Sequence, residues 1–158
     1  MKEVELRVPG YKTLILHHLV LDFNGTLAKD GQLIEQTHIL LDALIQKYKV
    51  HVITSDTFGT VAAQLKDFDL EIKVLSSDEH TEEKEAYVDA LGCEYCVAIG
   101  NGNNDRKMLK KAALGIALVA DEGCSVQTLT SSDIVCKTIE DALGLLLHEK
   151  RLIATLRQ

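Results

Sequence analysis

A short apolar run ends in one carboxylate, Asp22, and the chain turns at once through Phe23-Asn24-Gly25-Thr26. Far downstream, Ile99-Gly100-Asn101-Gly102-Asn103-Asn104-Asp105 ends a second apolar run in a glycine-rich loop that closes on another acid. Between them, Val52-Ile53-Thr54-Ser55-Asp56 ends a third run, and Lys84 stands near the start of a helical pattern. Each acid or hydroxyl sits where an apolar strand gives way to a turn, and open α/β sheets bind their ligands at that edge. A carboxylate with an unshielded oxygen, a fixed cation and nearby hydroxyl and amide donors are what transfer of a phosphoryl group to an aspartate requires. Taken singly, each residue has a plainer explanation: Asp22 as a turn former, Lys84 among Glu82, Glu83 and Glu85 as part of a solvated helix face, and Asp56 as a helix cap.

These residues need a frame that brings them to one edge. Leu19 to Phe23, Lys49 to Thr54, Glu71 to Leu75, Cys96 to Ile99, Leu114 to Val119 and Ile134 to Val135 read as strands. Helical spacing links Ile39, Leu40, Ala43 and Leu44, then Phe58, Val61, Ala62 and Leu65, with Asp56 or Thr57 as the N-cap. Further helices are expected over Glu82 to Leu91, Asp105 to Ala112 and, as one or two helices, the tail over 139–157. Pro9-Gly10 between two alternating segments predicts an N-terminal hairpin within residues 1–18. Alternating strands and helices with right-handed crossovers make a doubly wound, mostly parallel α/β sheet in a single domain over 1–158. Asp22, Thr54 and Asp105 then meet at one rim.

Composition narrows the function. A chain of 158 residues can bury a core without disulfide staples. Its formal net charge of -7 argues against a nucleic acid held on a basic face. No apolar stretch is long enough to span a membrane, and the charged start is unlike a signal peptide, so a cytoplasmic location is expected. Cys93 and Cys96 form a C-x-x-C between a helix and a strand, with no second pair to complete a metal cage; Cys124 and Cys136 stand apart. Small thiols in a reducing compartment are the expectation. The six histidines form no pattern converging on the acids, and a surface position accounts for His80.

Asp, Thr, Lys and a Gly-x-Gly-x-Asn-Asp loop, in that order from Val20 to about Asp121, resemble the haloacid dehalogenase-like (HAD) superfamily. The similarity is nearest to the phosphorylation domain of P-type ATPases and the soluble P-type ATPase-like proteins. The resemblance implies a Mg²⁺-dependent phosphohydrolase working through an aspartyl-phosphate on Asp22, on a small phosphorylated substrate or a phosphoprotein. It assigns catalysis to Asp22, Asn24, Thr54 and Lys84, and phosphate binding to Phe23, Gly25, Thr26 and Ser55. The metal would be held by Asp22, Asn24, Asn101 and Asp105, with Asn104 in support. Lys73 is a rival to Lys84 but falls inside a strand.

Three departures shape the expectation. HAD phosphatases carry an acid two residues after the nucleophile; here that position is Asn24, which has no proton to exchange, so good leaving groups should be favoured. Asn101 replaces the aspartate that usually binds the metal, removing one negative charge. The intervals from Thr26 to Thr54 and from Thr54 to Lys84 are each about 30 residues, too short for a cap domain, so the site should be open unless a second copy covers it. A homo-oligomer is therefore expected as an option, with the apolar tail (Leu143, Leu145, Leu146, Leu147, Ile153, Leu156) either as its contact or packed within the one subunit. The alternative on the same fold is a weakly catalytic module that senses phosphate or nucleotide. A response-regulator receiver, which also uses Asp, Thr and Lys, places its phosphoacceptor after the third strand and fits poorly.

Overall fold

The structure, a computed structural model, describes residues 2–56 and 58–158. Six parallel strands form the central sheet: β3 (His18–Asp22), β6 (Lys49–Thr54), β7 (Glu71–Val74), β8 (Cys96–Gly100), β9 (Leu114–Leu118) and β10 (Ile134–Cys136), in the order β10-β9-β8-β3-β6-β7. Every residue of β8 and β9 is buried, and all but His18 in β3. Strands covered on both faces read as continuous apolar runs, which is why these segments stood out. The edge strands β7 and β10 are only partly covered.

Strand order does the positioning. β8, β3 and β6 lie side by side, so their carboxyl ends at Gly100, Asp22 and Thr54 are neighbours. Helices α1 (Thr37–Ile45), α2 (Thr60–Gln64), α3 (His80–Leu91), α4 (Arg106–Lys111), α5 (Val126–Thr130), α6 (Ile139–Leu147) and α7 (Glu149–Leu156) complete the layers. The larger core cluster joins Leu19, Leu21 and Val52 to Leu41, Leu44, Leu143 and Leu146. A second cluster, with Val20, Ile53, Val88, Ala98 and Leu109, lies on the opposite face.

The N-terminal hairpin is present as β1 (Val4–Arg7) and β2 (Thr13–Leu16), paired antiparallel, and His18 belongs to β3 rather than to the hairpin. The tail is two helices. Leu143, Leu146, Leu152 and Leu156 are buried within the same chain, and Leu145, Leu147 and Ile153 pack against that core. The tail therefore covers its own subunit.

Two elements were not anticipated. A second hairpin, β4 (Ala28–Lys29) with β5 (Gln32–Leu33), follows the nucleophile turn directly. Asp30 and Gly31 at its tip have φ of 51° and 78°, and Asp-Gly is a favoured pair for a two-residue hairpin turn. Helix α5 was also missed; only Thr128 of its five residues is buried, leaving little apolar periodicity to read. Phe58 is 91% exposed, so it does not share the buried face of α2 as expected. The capping expectation falls to Asp56: its carboxylate accepts from the Phe58 and Val61 amides and the Thr60 hydroxyl. Those bonds hold its pKa below the ordinary carboxylate value. Thr57, the other candidate cap, lies outside the described residues.

Candidate active site

Asp22 is the last residue of β3 and is 8% exposed. Lys84, on the first turns of α3, is 2% exposed although it is a lysine. Its Nζ donates to Asp22 Oδ1 at 2.9 Å, Asp105 Oδ1 at 2.8 Å and Asn104 Oδ1 at 3.0 Å. Three acceptors match the three protons of an ammonium group. Lys73, the rival, pairs with Glu83 at 3.3 Å instead.

One cation between two buried carboxylates leaves the cluster short of positive charge. Burial, together with the field of Asp105, pushes the Asp22 pKa up to about 7 despite the opposing pull of Lys84 and Thr26. Burial works against the Lys84 ammonium, yet Asp22 and Asp105 outweigh it and hold the lysine above its ordinary value. One shared cation keeps itself charged but cannot fully satisfy two anions.

Asp105 is 0% exposed. Besides serving Lys84 through Oδ1, it accepts the amides of Asn101 and Gly102 on Oδ2, both at 3.0 Å. A Cβ at Gly100 would stand 2.4 Å from that carboxyl carbon, so glycine there makes room for the loop to fold over the acid. Asn101 is turned by its own partners: Nδ2 donates to Gly123 O at 3.2 Å, leaving Oδ1 facing the Thr26 hydroxyl at 3.5 Å. The same hydroxyl lies 3.3 Å from Asp22 Oδ2. Thr26 thus brings an oxygen of Asp22 and one of Asn101 to the same side of the site. Gly25, at φ 77°, permits this approach, since a Cβ would sit 2.6 Å from Asn101 Nδ2.

A cavity of about 190 Å³ opens in front of this cluster, lined by Asp22, Asn24, Ser55, Leu75, His80, Lys84, Asn101, Gly102 and Asn104. Of the residues singled out from the sequence, Asp22, Asn24, Ser55, Lys84, Asn101 and Asn104 meet there. Asp105 lies behind it. Thr54 is buried, its Oγ1 accepts the Asp56 amide at 3.0 Å, and it lines a neighbouring crevice with Asp56 and Val61. Ser55, the next residue, faces the cavity instead. The turn amides are also less free than expected: Phe23 N donates to Ile53 O, Gly25 N to Ala28 O and Thr26 N to Phe23 O. The side chain of Phe23 is wholly buried. Among the described residues the amide of Asn24 alone in that turn makes no backbone hydrogen bond.

His80 is the lining residue that sequence reasoning missed. It is half-buried and borders the cavity rather than lying on open surface. The signal was its spacing: four residues before Lys84 on a helix, it projects from the same face. Other histidines gather elsewhere. His18 Nδ1 meets His51 Nε2 at 3.0 Å, and His51 Nδ1 meets the Tyr87 hydroxyl at 2.8 Å. All four cysteines are free thiols, and burial pushes Cys96 up to about 12.

Among the described residues no three His, Cys, Asp or Glu side chains gather as a metal cage. What the cavity offers is oxygen: a carboxylate oxygen of Asp22, the oxygens of Asn24, and Asn101 Oδ1. That set fits a small hard dication which keeps several waters. Two carboxylates and one ammonium leave one net negative charge, which a dication would turn positive in front of an incoming phosphate.

The fold is shared with solved phosphatases and a putative HAD superfamily hydrolase. A 3-deoxy-D-manno-octulosonate 8-phosphate phosphatase from Moraxella catarrhalis, solved with magnesium, phosphate and KDO, aligns with a TM-score of 0.71 over 90% of this chain and 94% of its own, at 22% identity. The cobalt-bound form of a deoxy-D-mannose-octulosonate 8-phosphate phosphatase from Haemophilus influenzae gives 0.70 over 84% and 88%, at 14% identity. A putative HAD superfamily (subfamily III A) hydrolase from Legionella pneumophila gives 0.71 over 89% and 87%, at 16% identity. In sequence, an uncharacterised protein of Methanocaldococcus jannaschii is 61% identical over 61 residues, 39% of this chain and 66%, just under two thirds, of that relative. No protein-family model matches the chain. The chain has the HAD fold.

Proposed function

We propose that this chain is a Mg²⁺-dependent phosphohydrolase acting through an aspartyl-phosphate on Asp22, nearest in kind to the soluble P-type ATPase-like group. The observation that carries the reading is the shared lysine: Lys84 Nζ bridges Asp22 and Asp105 at 2.9 and 2.8 Å inside a site where a lysine would otherwise not be buried. An Asp22 oxygen attacks phosphorus, the bond to the leaving oxygen breaks, and water later attacks the same phosphorus to release phosphate from Asp22. Lys84 offsets the negative charge that accumulates as Asp22 meets the phosphoryl group, while the Asn24 amide and Ser55 hydroxyl serve its equatorial oxygens. Asp105 holds Lys84 and the 101–102 amides in position, a role we prefer for it over metal binding because its oxygens are already engaged. Mg²⁺, held by oxygens of Asp22, Asn24 and Asn101, would supply the further positive charge that one lysine lacks.

A substrate of small size, or a phosphorylated side chain of another protein, suits a cavity of about 190 Å³. Among the described residues no helix is long and apolar enough to cross a membrane, which agrees with a cytoplasmic role. A second copy covering the rim remains part of the proposal, through surfaces other than the buried tail. The second reading, a phosphate sensor with little turnover, draws on Asn24 and Asn101, where amides occupy positions that an acid and a metal carboxylate usually fill. Phosphate release from p-nitrophenyl phosphate and acetyl phosphate, with and without Mg²⁺, separates them. Release by the wild type but not by Asp22→Asn is expected; tight phosphate binding with no release by either would favour the sensor.

A further inference from the structure

We propose that His80 is the proton donor and acceptor of this site, serving the leaving oxygen and then the attacking water, an exchange for which Asn24 has no titratable group. The proposal rests on the phosphohydrolase reading above. Four observations support it. His80 lines the same cavity as Asp22, Asn24 and Lys84. It stands one helical turn before Lys84 on α3, and residues four apart share a face. The approach to α3 is pinned: Glu83 accepts the amides of Ser76 and Ser77 at 3.0 to 3.1 Å and both their hydroxyls, and also pairs with Lys73. Finally, the His80 ring makes no hydrogen bond to another described residue, so both ring nitrogens are available to a ligand.

Elimination points the same way. Of the side chains lining the cavity, Asp22 is committed as nucleophile and Lys84 is bound by three oxygens. Asn24, Ser55, Leu75, Asn101, Gly102 and Asn104 offer no group that exchanges a proton near neutrality. Imidazole does both jobs in turn. As the Asp22–phosphorus bond forms, the electron pair of the breaking bond goes to the leaving oxygen, and imidazolium gives that oxygen its proton. The neutral ring then takes a proton from the water attacking the aspartyl-phosphate, Asp22 leaves as carboxylate, and the imidazolium is restored. One water is consumed, and one alcohol and one phosphate are released.

The test compares glycerol 2-phosphate, whose alkoxide needs a proton, with acetyl phosphate, whose leaving group scarcely does, at saturating Mg²⁺. His80→Gln should lower kcat/KM for the alkyl ester by about 100-fold or more while changing acetyl phosphate by less than about threefold. Free imidazole should restore part of the alkyl turnover of His80→Ala. A structural role for His80 predicts no such rescue. Equal losses on both substrates, or no loss on either, would overturn the assignment while leaving the phosphohydrolase reading intact. A wild type that releases no phosphate from either compound would overturn both.

Discussion

Replacing the nucleophile should stabilise the metal-free protein. Asp22 and Asp105 compete for one lysine, and the Asp22 carboxyl is pushed up to about 7, chiefly by burial and then by Asp105. A carboxyl whose folded pKa lies above its unfolded value of 3.8 weakens the fold above the folded pKa. That cost is relieved as pH falls through about 7 and is gone below the unfolded value. At ~1.4 kcal/mol per pKa unit the displacement corresponds to a cost on the order of 4 kcal/mol at pH 8. Asp22→Asn removes the charge and leaves the Lys84–Asp105 pair neutral and intact, but weakens a charged hydrogen bond worth about 1.5–3 kcal/mol. The net expectation is a gain of about 1–3 kcal/mol at pH 8, shrinking toward zero at pH 5, where the wild-type carboxyl is protonated. Urea unfolding of both proteins in chelator, at the two pH values, measures it. A variant less stable than wild type at pH 8, or equally favoured at both, would refute the picture of two anions sharing one cation.

Lys84→Met should act in the opposite sense, since it leaves both carboxylates buried without their shared cation: a loss of about 3–5 kcal/mol at pH 8 is expected by the same unfolding assay. Gly25→Ala forces a Cβ at φ 77° into the Asn101 side chain; backbone strain of about 1–2 kcal/mol and a displaced Asn101 should together raise the Mg²⁺ concentration needed for half-maximal phosphate release. His51, pushed down to about 4 chiefly by burial with His18 and Lys49 adding to it, binds a proton more readily unfolded than folded. Its contribution is therefore present above the unfolded value of 6.5 and lost as pH falls toward 4, the reverse of Asp22. The stability difference between wild type and His51→Gln should accordingly move against the wild type over that window in chelator-treated protein.

Much of the fold could be read because the central strands are buried on both faces and so appear as unbroken apolar runs ending in marked turns. Asp22, Lys84 and the Gly100–Asp105 loop were recognisable by order along the chain, and strand order then made them neighbours. What the pattern could not carry was direction. Thr54 and Ser55 are adjacent, and only the fold decides which of them faces the cavity. Likewise, Asp105 follows the metal-loop pattern in sequence, yet its burial and three partners commit it to Lys84 and to two loop amides. The β4–β5 hairpin was legible in Asp30-Gly31 but has strands of two residues each, too short to show alternation. His80 needed the helix to begin at residue 80 rather than 82 before its spacing from Lys84 acquired meaning.

The central claim is that Asp22 itself receives the phosphoryl group. Acid-quenching the protein during turnover of acetyl phosphate with Mg²⁺ and reducing it with borohydride converts an aspartyl-phosphate to homoserine, which peptide mapping by mass spectrometry locates. The account predicts homoserine at position 22, dependent on both substrate and Mg²⁺. Turnover without homoserine at position 22, or with the label at another aspartate, would contradict it.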